Sequence, residues 1–326
     1  MRRRSLLLAV PAGLLTLAGC GEESSDKDKV GASVSPEASP DASPKVVDGP
    51  LPAITGGTKF GEKPVVAKGS GKPSTDLAVK TVIAGSGATI AEGDWLRAHY
   101  LGQIWNTAEV FDNSYDRKKP LVIQLAQGKI IDGWRIGLAG KKVGSRVEMA
   151  VPPSLGYGEQ GQGGIKGTDT MVFVIDVQET FNGKSSAKGK EVPQDDVALP
   201  KVGTNTDGKA PEITVPKAAA PKKLVSQYVL EGDGEVVQAT DTLLLQYKGV
   251  LWDGGKEFDS SYSRGQLADF PLQQLIKGWQ EGLAGKKVGS RVMLVVPPDK
   301  GYGDQASGEI PANSTLVFTL DILAKM

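Results

Sequence analysis

Gly133-Trp134-Arg135-Ile136 running to Val147 and Gly278-Trp279-Gln280-Glu281 running to Val292 agree at 13 of 15 positions. Matching segments flank this pair: His99-Tyr100-Leu101-Gly102 with Gln246-Tyr247-Lys248-Gly249, Phe111 to Tyr115 with Phe258 to Tyr262, and Gly156-Tyr157-Gly158 with Gly301-Tyr302-Gly303. The offset is 147 residues early and 145 later, so a small deletion separates the copies. A period this long lies far above that of solenoid repeats and predicts a tandem of whole domains. The 326 residues then divide into a first domain over 51–181, a connection over 182–198 and a second domain over 199–326, each domain with its own N-terminal extension.

Within a unit, alternation dominates. Leu96, Ala98 and Tyr100 interleave with Arg97 and His99, and Met171, Phe173 and Ile175 with Val172, Val174 and Asp176, which predicts strands. His99 falls opposite Tyr100 and is expected on an outward face; the second copy has Gln246 there. Only Ile131, Trp134 and Leu138, and likewise Ile276, Trp279 and Leu283, follow helical spacing, with Gly140 or Gly285 where a left-handed cap would sit. One short helix against a largely antiparallel sheet is an α+β fold.

Composition removes several kinds of chemistry. Lysine plus arginine (38) equals aspartate plus glutamate (38), which leaves no basic excess for nucleic acid. With one histidine and one cysteine, two copies of a histidine-based catalytic triad, a Cys/His zinc site and an intramolecular disulfide are all excluded. No cofactor or metal is expected.

Residues 1–19 have a cationic start, Arg2-Arg3-Arg4, and an apolar run from Leu6 to Ala18 that is too short to span a bilayer, the pattern of an export signal. The run ends in Leu17-Ala18-Gly19-Cys20, which resembles the lipobox of bacterial lipoproteins and implies lipid on Cys20 and anchoring at the outer face of the cell membrane. Arg3-Arg4-Ser5-Leu6-Leu7 also resembles a twin-arginine motif, and the choice between that route and the general secretory one stays open. From Gly21 to Pro50 the chain is polar and lacks aromatic residues, so 20–50 is expected to be a solvated tether with a reach of roughly 30 Å.

The recurring series Tyr-x-Gly, Phe-Asp-x-Ser, Ile-x-Gly-Trp-x-x-Gly-Leu, Gly-Tyr-Gly and Met/Leu-Val-Phe resembles the FKBP-type peptidyl-prolyl cis-trans isomerases, in order and spacing, over 75–181 and 222–326. The resemblance implies two FKBP-like domains, each a twisted antiparallel sheet wrapped around one short helix, acting on proline-containing polypeptides and binding macrolides of the rapamycin type. In the second unit it implies a pocket of Tyr247, Phe258, Asp259, Phe270, Leu275, Ile276, Trp279, Tyr302, Ile310 and Phe318. Trp279 would be its floor and Phe258 and Phe318 its walls. Tyr302 would donate to the substrate carbonyl, and Asp259 would be held by Tyr247 and Arg264. The first unit's equivalents are Tyr100, Phe111, Asp112, Ile123, Ile130, Ile131, Trp134, Tyr157, Ile165 and Phe173, with Arg117 beside Asp112.

The chemistry is compatible with this composition. Rotation about an X-Pro bond meets a barrier of ~18–20 kcal/mol because amide resonance is lost at the twist. Dry walls weaken the charge-separated form, and a placed donor can hold the carbonyl, with no nucleophile, metal or proton shuttle. The copies diverge where the family has Ile-Pro: the second keeps Ile310-Pro311 and the first has Ile165-Lys166-Gly167. A pocket-closing aromatic position of the family is Phe270 in the second copy and Ile123 in the first, and a further aromatic position is Leu121 in the first and Ala268 in the second. The second unit is therefore the better enzyme candidate. A non-catalytic proline-segment-binding module or chaperone is the alternative, above all for the first.

Overall fold

The computed structural model describes residues 44–326; the expected signal segment, Cys20 and the tether up to Ser43 lie outside them. The first repeat runs β1 (Val46–Val47), β2 (Ile54–Gly56), β3 (Val65–Val66), β4 (Leu77–Ile83), β5 (Trp95–Ile104), β6 (Val110–Asn113), β7 (Leu121–Gln124), α1 (Asp132–Leu138), β8 (Arg146–Val151) and β9 (Met171–Phe181). The second runs β10 (Lys190–Glu191), β11 (Lys201–Val202), β12 (Ile213–Thr214), β13 (Val225–Glu231), β14 (Thr242–Leu251), β15 (Glu257–Ser260), α2 (Ser261–Arg264), β16 (Ala268–Pro271), α3 (Lys277–Leu283), β17 (Arg291–Val296) and β18 (Leu316–Lys325). The sheet orders correspond: β1-β4-β8-β9-β5-β6 with β7 also on β5, and β10-β13-β17-β18-β14-β15 with β16 also on β14.

On one face of each sheet the helix closes the main core. Leu96, Trp134, Leu138, Met149, Phe173 and Ile175 form it in the first repeat, and Leu245, Trp279, Leu283, Leu294, Phe318 and Leu320 in the second. The opposite face is covered too. Leu101, Trp105, Ala150, Val172 and Val174 pack beneath Val47, Leu51, Ile54 and Val66 of the extension, and Val250, Trp252, Met293, Val295 and Val317 form the counterpart in the second repeat. Trp105 Nε1 donates to Gly71 O at 3.3 Å and Trp252 Nε1 to Ala218 O at 3.2 Å, which fastens each extension in the same way.

This second layer corrects the expectation for His99. It is half-buried: its Nδ1 lies 2.8 Å from Ser114 Oγ, its ring stacks on Tyr115, and burial pushes its pKa down. Gln246 is fully buried. The helix ends differently from expectation as well. Ala139 and Ala284 are extended (φ −57°, ψ 134° and φ −58°, ψ 132°), and Gly140 and Gly285 follow at φ 79° and 82°. Lys141 N donates to Leu138 O and Lys286 N to Leu283 O, so each helix runs into a type II turn that needs glycine at its third position.

The end of the expected tether and the connection between the domains both contribute strands to the sheets. β1 pairs with β4 in parallel, so the ordered unit begins before Leu51. The connection 182–198 contains β10, which pairs with β13, and its Ala187 is buried. Residues 44–326 form one compact unit. Within it Trp95, Val122 and Phe181 of the first repeat meet Leu244, Leu267, Leu323 and Ala324 of the second in a shared apolar cluster.

Candidate active site

In the second repeat, β14 supplies Tyr247, β15 supplies Phe258 and Asp259, β16 supplies Phe270, and the chain entering α3 supplies Leu275 and Ile276. With Trp279 of α3, Phe318 of β18 and Tyr302 of the loop after β17, these line one cavity of about 140 Å³. Three ring pairs meet edge to face, Trp279 and Phe318 at 5.2 Å between centroids, Tyr247 and Trp279 at 5.4 Å and Phe258 and Phe318 at 5.5 Å, while Phe270 lies tilted 6.1 Å from Tyr247. Ile310 stands apart from this lining and is buried in the adjoining core. The approach of Phe258 to Phe318 depends on Gly249, since a Cβ there would lie 2.6 Å from Phe258 Cζ and 2.9 Å from Phe318 Cε1.

Asp259 is held through both carboxylate oxygens. Its Oδ2 accepts from Tyr247 OH at 2.5 Å and its Oδ1 from Arg264, whose Nη2 also donates to Tyr247 OH at 2.8 Å. Arg264 lies 5.5 Å from the Tyr247 ring centroid. Burial, with the Asp259 hydrogen bond second, pushes the Tyr247 hydroxyl up to about 12. Burial, then the Asp259 charge, also raises Tyr302. The Tyr302 side chain is 42% exposed and its hydroxyl has no hydrogen-bond partner among the described residues. The indole N–H groups of Trp279 and Trp134 are buried and equally unpaired.

The first repeat reproduces most of this. Tyr100 OH donates to Asp112, which Arg117 pairs with, and Arg117 Nη2 donates to Tyr100 OH at 3.1 Å. Burial raises the Asp112 carboxyl, but the Arg117 and Tyr100 hydrogen bonds outweigh it and hold the group below its ordinary range. Trp134 lies 5.4 Å from both Tyr100 and Phe173, and Phe111 lies 5.7 Å from Phe173. Ile130, Ile131, Tyr157 and Ile165 pack half-buried against the same core. Ile123 pairs with Leu96 in the register that Phe270 takes with Leu243, so an aliphatic branch occupies the place of a ring. The same registers place Leu121 and Ala268 as true equivalents. The loops around Ile165-Lys166 and Ile310-Pro311 are less different than their sequences: each closes the same small bridge, Gln162 with Ile165 and Ser307 with Ile310.

Some supporting residues lie outside the set expected from the sequence. Gln280 Nε2 donates to Leu275 O at 2.6 Å and holds the edge of the pocket. Lys300 Nζ pairs with Glu281 at 2.6 Å, joining the Tyr302 loop to the Trp279 helix. The first repeat has Ile136 and Leu155 at those two places, both packed against its core. That exchange of a charged pair for two apolar residues could have been seen by aligning the repeats.

Each unit thus gathers rings from distant strands beside a fixed Tyr-Asp-Arg cluster, and in the second unit these rings line an apolar hollow. The profile of the FKBP-type peptidyl-prolyl cis-trans isomerases matches residues 87–178 and 234–323. A Corynebacterium glutamicum protein titled "Probable FK506-binding protein" is 42% identical over 114 residues, 35% of this chain and 97% of that one. FKBP-type peptidyl-prolyl cis-trans isomerase FkpA of Escherichia coli is 36% identical over 183 residues, 51% of this chain and 67% of that one. Peptidyl-prolyl cis-trans isomerase FKBP9 of Homo sapiens is 31% identical over 238 residues, 72% of this chain but only 35% of the human protein. Among solved structures, FkpA from Escherichia coli shares 48% identity over 31% of this chain and 47% of that chain, with a TM-score of 0.30. The chain belongs to the FKBP-type peptidyl-prolyl cis-trans isomerase family and carries two tandem domains of it.

Proposed function

We propose that the second domain is the principal prolyl isomerase of this chain, and that the protein works outside the cytoplasm, tethered by lipid on Cys20, on proline-containing segments of exported polypeptides. The supporting observation is the ring-lined hollow with the unpartnered Tyr302 hydroxyl at its edge. A prolyl ring on Trp279 would leave its amide among Phe258, Phe318 and Tyr302. Loss of water there weakens the resonance form, and Tyr302 would hold the carbonyl as it turns. A ten-thousandfold acceleration needs only ~5.4 kcal/mol of differential stabilisation. Because Tyr247 and Arg264 occupy the Asp259 carboxylate, its role is to fix the pocket wall. Macrolides of the rapamycin type would compete for the same hollow.

The test is isomerisation of a cis-X-Pro peptide by the full chain with the first pocket disabled by Asp112→Leu. Tyr302→Phe should lower kcat/KM about 3–10-fold, the value of one neutral hydrogen bond, and Asp259→Leu roughly tenfold or more, since it strands two donors. No effect of either would remove the second pocket as the site. Both tyrosine hydroxyls titrate above their ordinary 10, so they remain donors and kcat/KM should stay flat between about pH 5 and pH 9. A break within that window would implicate another group. Membrane attachment is checked by Cys20→Ala, which should move the protein from the membrane fraction to the soluble one.

A weaker isomerase in the first domain is favoured by Ile123, an aliphatic side chain where the second domain has the Phe270 ring. With the second site disabled by Asp259→Leu, Ile123→Phe should raise the remaining kcat/KM about 2–10-fold, the worth of an added ring pair. An unchanged value would place the difference elsewhere.

A further inference from the structure

The segment that leaves β9, Asn182 to Lys188, lies behind the pocket of the second domain rather than hanging between the domains. Gln246 Nε2 donates to Gly183 O at 2.8 Å, while Gln246 Oε1 accepts from Ser261 Oγ, the first residue of α2, at 2.5 Å. Ala187 N donates to Asp321 Oδ2 at 2.8 Å, and the same oxygen accepts from Tyr262 OH at 3.1 Å. A Cβ on Gly183 would lie 2.4 Å from the carbonyl oxygen of Gly265, the left-handed residue that ends α2. Gly208 N donates to Ser186 Oγ at 3.1 Å from the outer side. The last residue of α2 is Arg264, the partner of Asp259 and Tyr247.

We propose that this segment is a positioning strap for the second site: Gly183 and Ala187, acting through Gln246, Asp321 and Gly265, hold α2 so that Arg264 keeps Asp259 and Tyr247 against the hollow. The inference rests on the second pocket being a working isomerase site. The first domain is built differently at the same points. His99 replaces Gln246 and holds Ser114, and the amide that reaches Asp176 is that of Gly61 in the domain's own extension, at 2.6 Å. Only the second site thus depends on the chain that joins the two domains.

Gly183→Val in the full chain tests this, because the branch must displace the Gly265 carbonyl. The readouts are kcat and KM on a cis-X-Pro peptide in two backgrounds, Asp112→Leu (second site reporting) and Asp259→Leu (first site reporting), with amide hydrogen exchange over 257–271. Gly183→Val should lower kcat/KM about fivefold or more with the second site reporting, speed exchange in 261–265, and leave the first site unchanged. Gln246→His and Gln246→Glu, which both lose the donor to Gly183 O, should each lower the second-site rate in the same way, and an unchanged rate in both would overturn the proposal. Equal loss at both sites would mean a general folding defect and overturn the proposal, as would faster exchange with an unchanged second-site rate. If the Asp112→Leu chain shows no activity before the strap is altered, the functional reading fails. Exchange over 261–265 then decides the strap's hold on α2 alone, and unchanged exchange overturns it.

Discussion

Arg291→Met is expected to destabilise the second domain by about 3–5 kcal/mol, the cost of leaving a buried charge without its partner. Arg291 is fully buried and forms a two-pronged pair with Asp321, Nε to Oδ1 at 2.6 Å and Nη2 to Oδ2 at 2.7 Å. Its remaining donor meets Gly203 O at 2.7 Å and Asn205 O at 2.8 Å, so one side chain joins β17, β18 and the extension. Without it, Asp321 keeps only Tyr262 and Ala187 as donors. The double variant Arg291→Met with Asp321→Leu removes both charges and should recover much of the loss. Urea unfolding of the full chain, followed by the second domain's rate on peptide, measures both. A single-variant loss under about 1 kcal/mol would show that the extension adjusts around the carboxylate.

Glu148→Met should do the opposite and stabilise the first domain by about 2–3 kcal/mol above neutral pH. Glu148 is 4% exposed, one carboxylate oxygen has no partner, and Lys80 is the only charge that favours its ionised form. Burial pushes its pKa up from 4.5 to about 7. Below about pH 4.5 the group is protonated folded and unfolded alike, and the substitution gains nothing from charge. Between about pH 4.5 and 7 the unfolded carboxyl ionises while the buried one stays protonated, so stability falls; above about 7 both are ionised, the loss levels off, and the advantage of methionine is complete. The second domain already carries Met293 there, opposite Thr319 as Glu148 is opposite Val174. Denaturation midpoints at pH 5 and pH 8 check this; an equal gain at both would assign it to packing.

Much of the architecture could be inferred from the residues. The duplicated segment announced two domains, Ile131, Trp134 and Leu138 announced the single helix, and alternation announced β5 and β9. What alternation could not show is a sheet covered on both faces. Val172 and Val174 face the extension, and Asp176 does so as an ion pair, so the rule that polar means outward misplaced His99 and Gln246. Arg146 and Arg291 stood inside the repeated Gly-Leu-Ala-Gly-Lys-Lys-Val-Gly-Ser-Arg-Val stretch, yet a charge in a strand gives no hint of burial until its carboxylate is found 30 residues away. The stretch 182–198 reads as a plain connection between the repeats, because Gly183 and Ala187 bond through backbone atoms that carry no side-chain signature. The pocket fared better because its rings are rare residues at fixed intervals. Nine of the ten residues expected there line one cavity, and Ile310 lies just behind it.

Gly249 gives the duplicated architecture an uneven tolerance to sequence drift. One methyl group there would wedge Phe258 from Phe318, so the smallest possible lesion at that codon closes the hollow while leaving the strand's hydrogen bonds available. Gly102 carries the same vulnerability against Phe111 and Phe173. Each copy thus has one backbone position at which the first atom of added bulk falls on its ring pair.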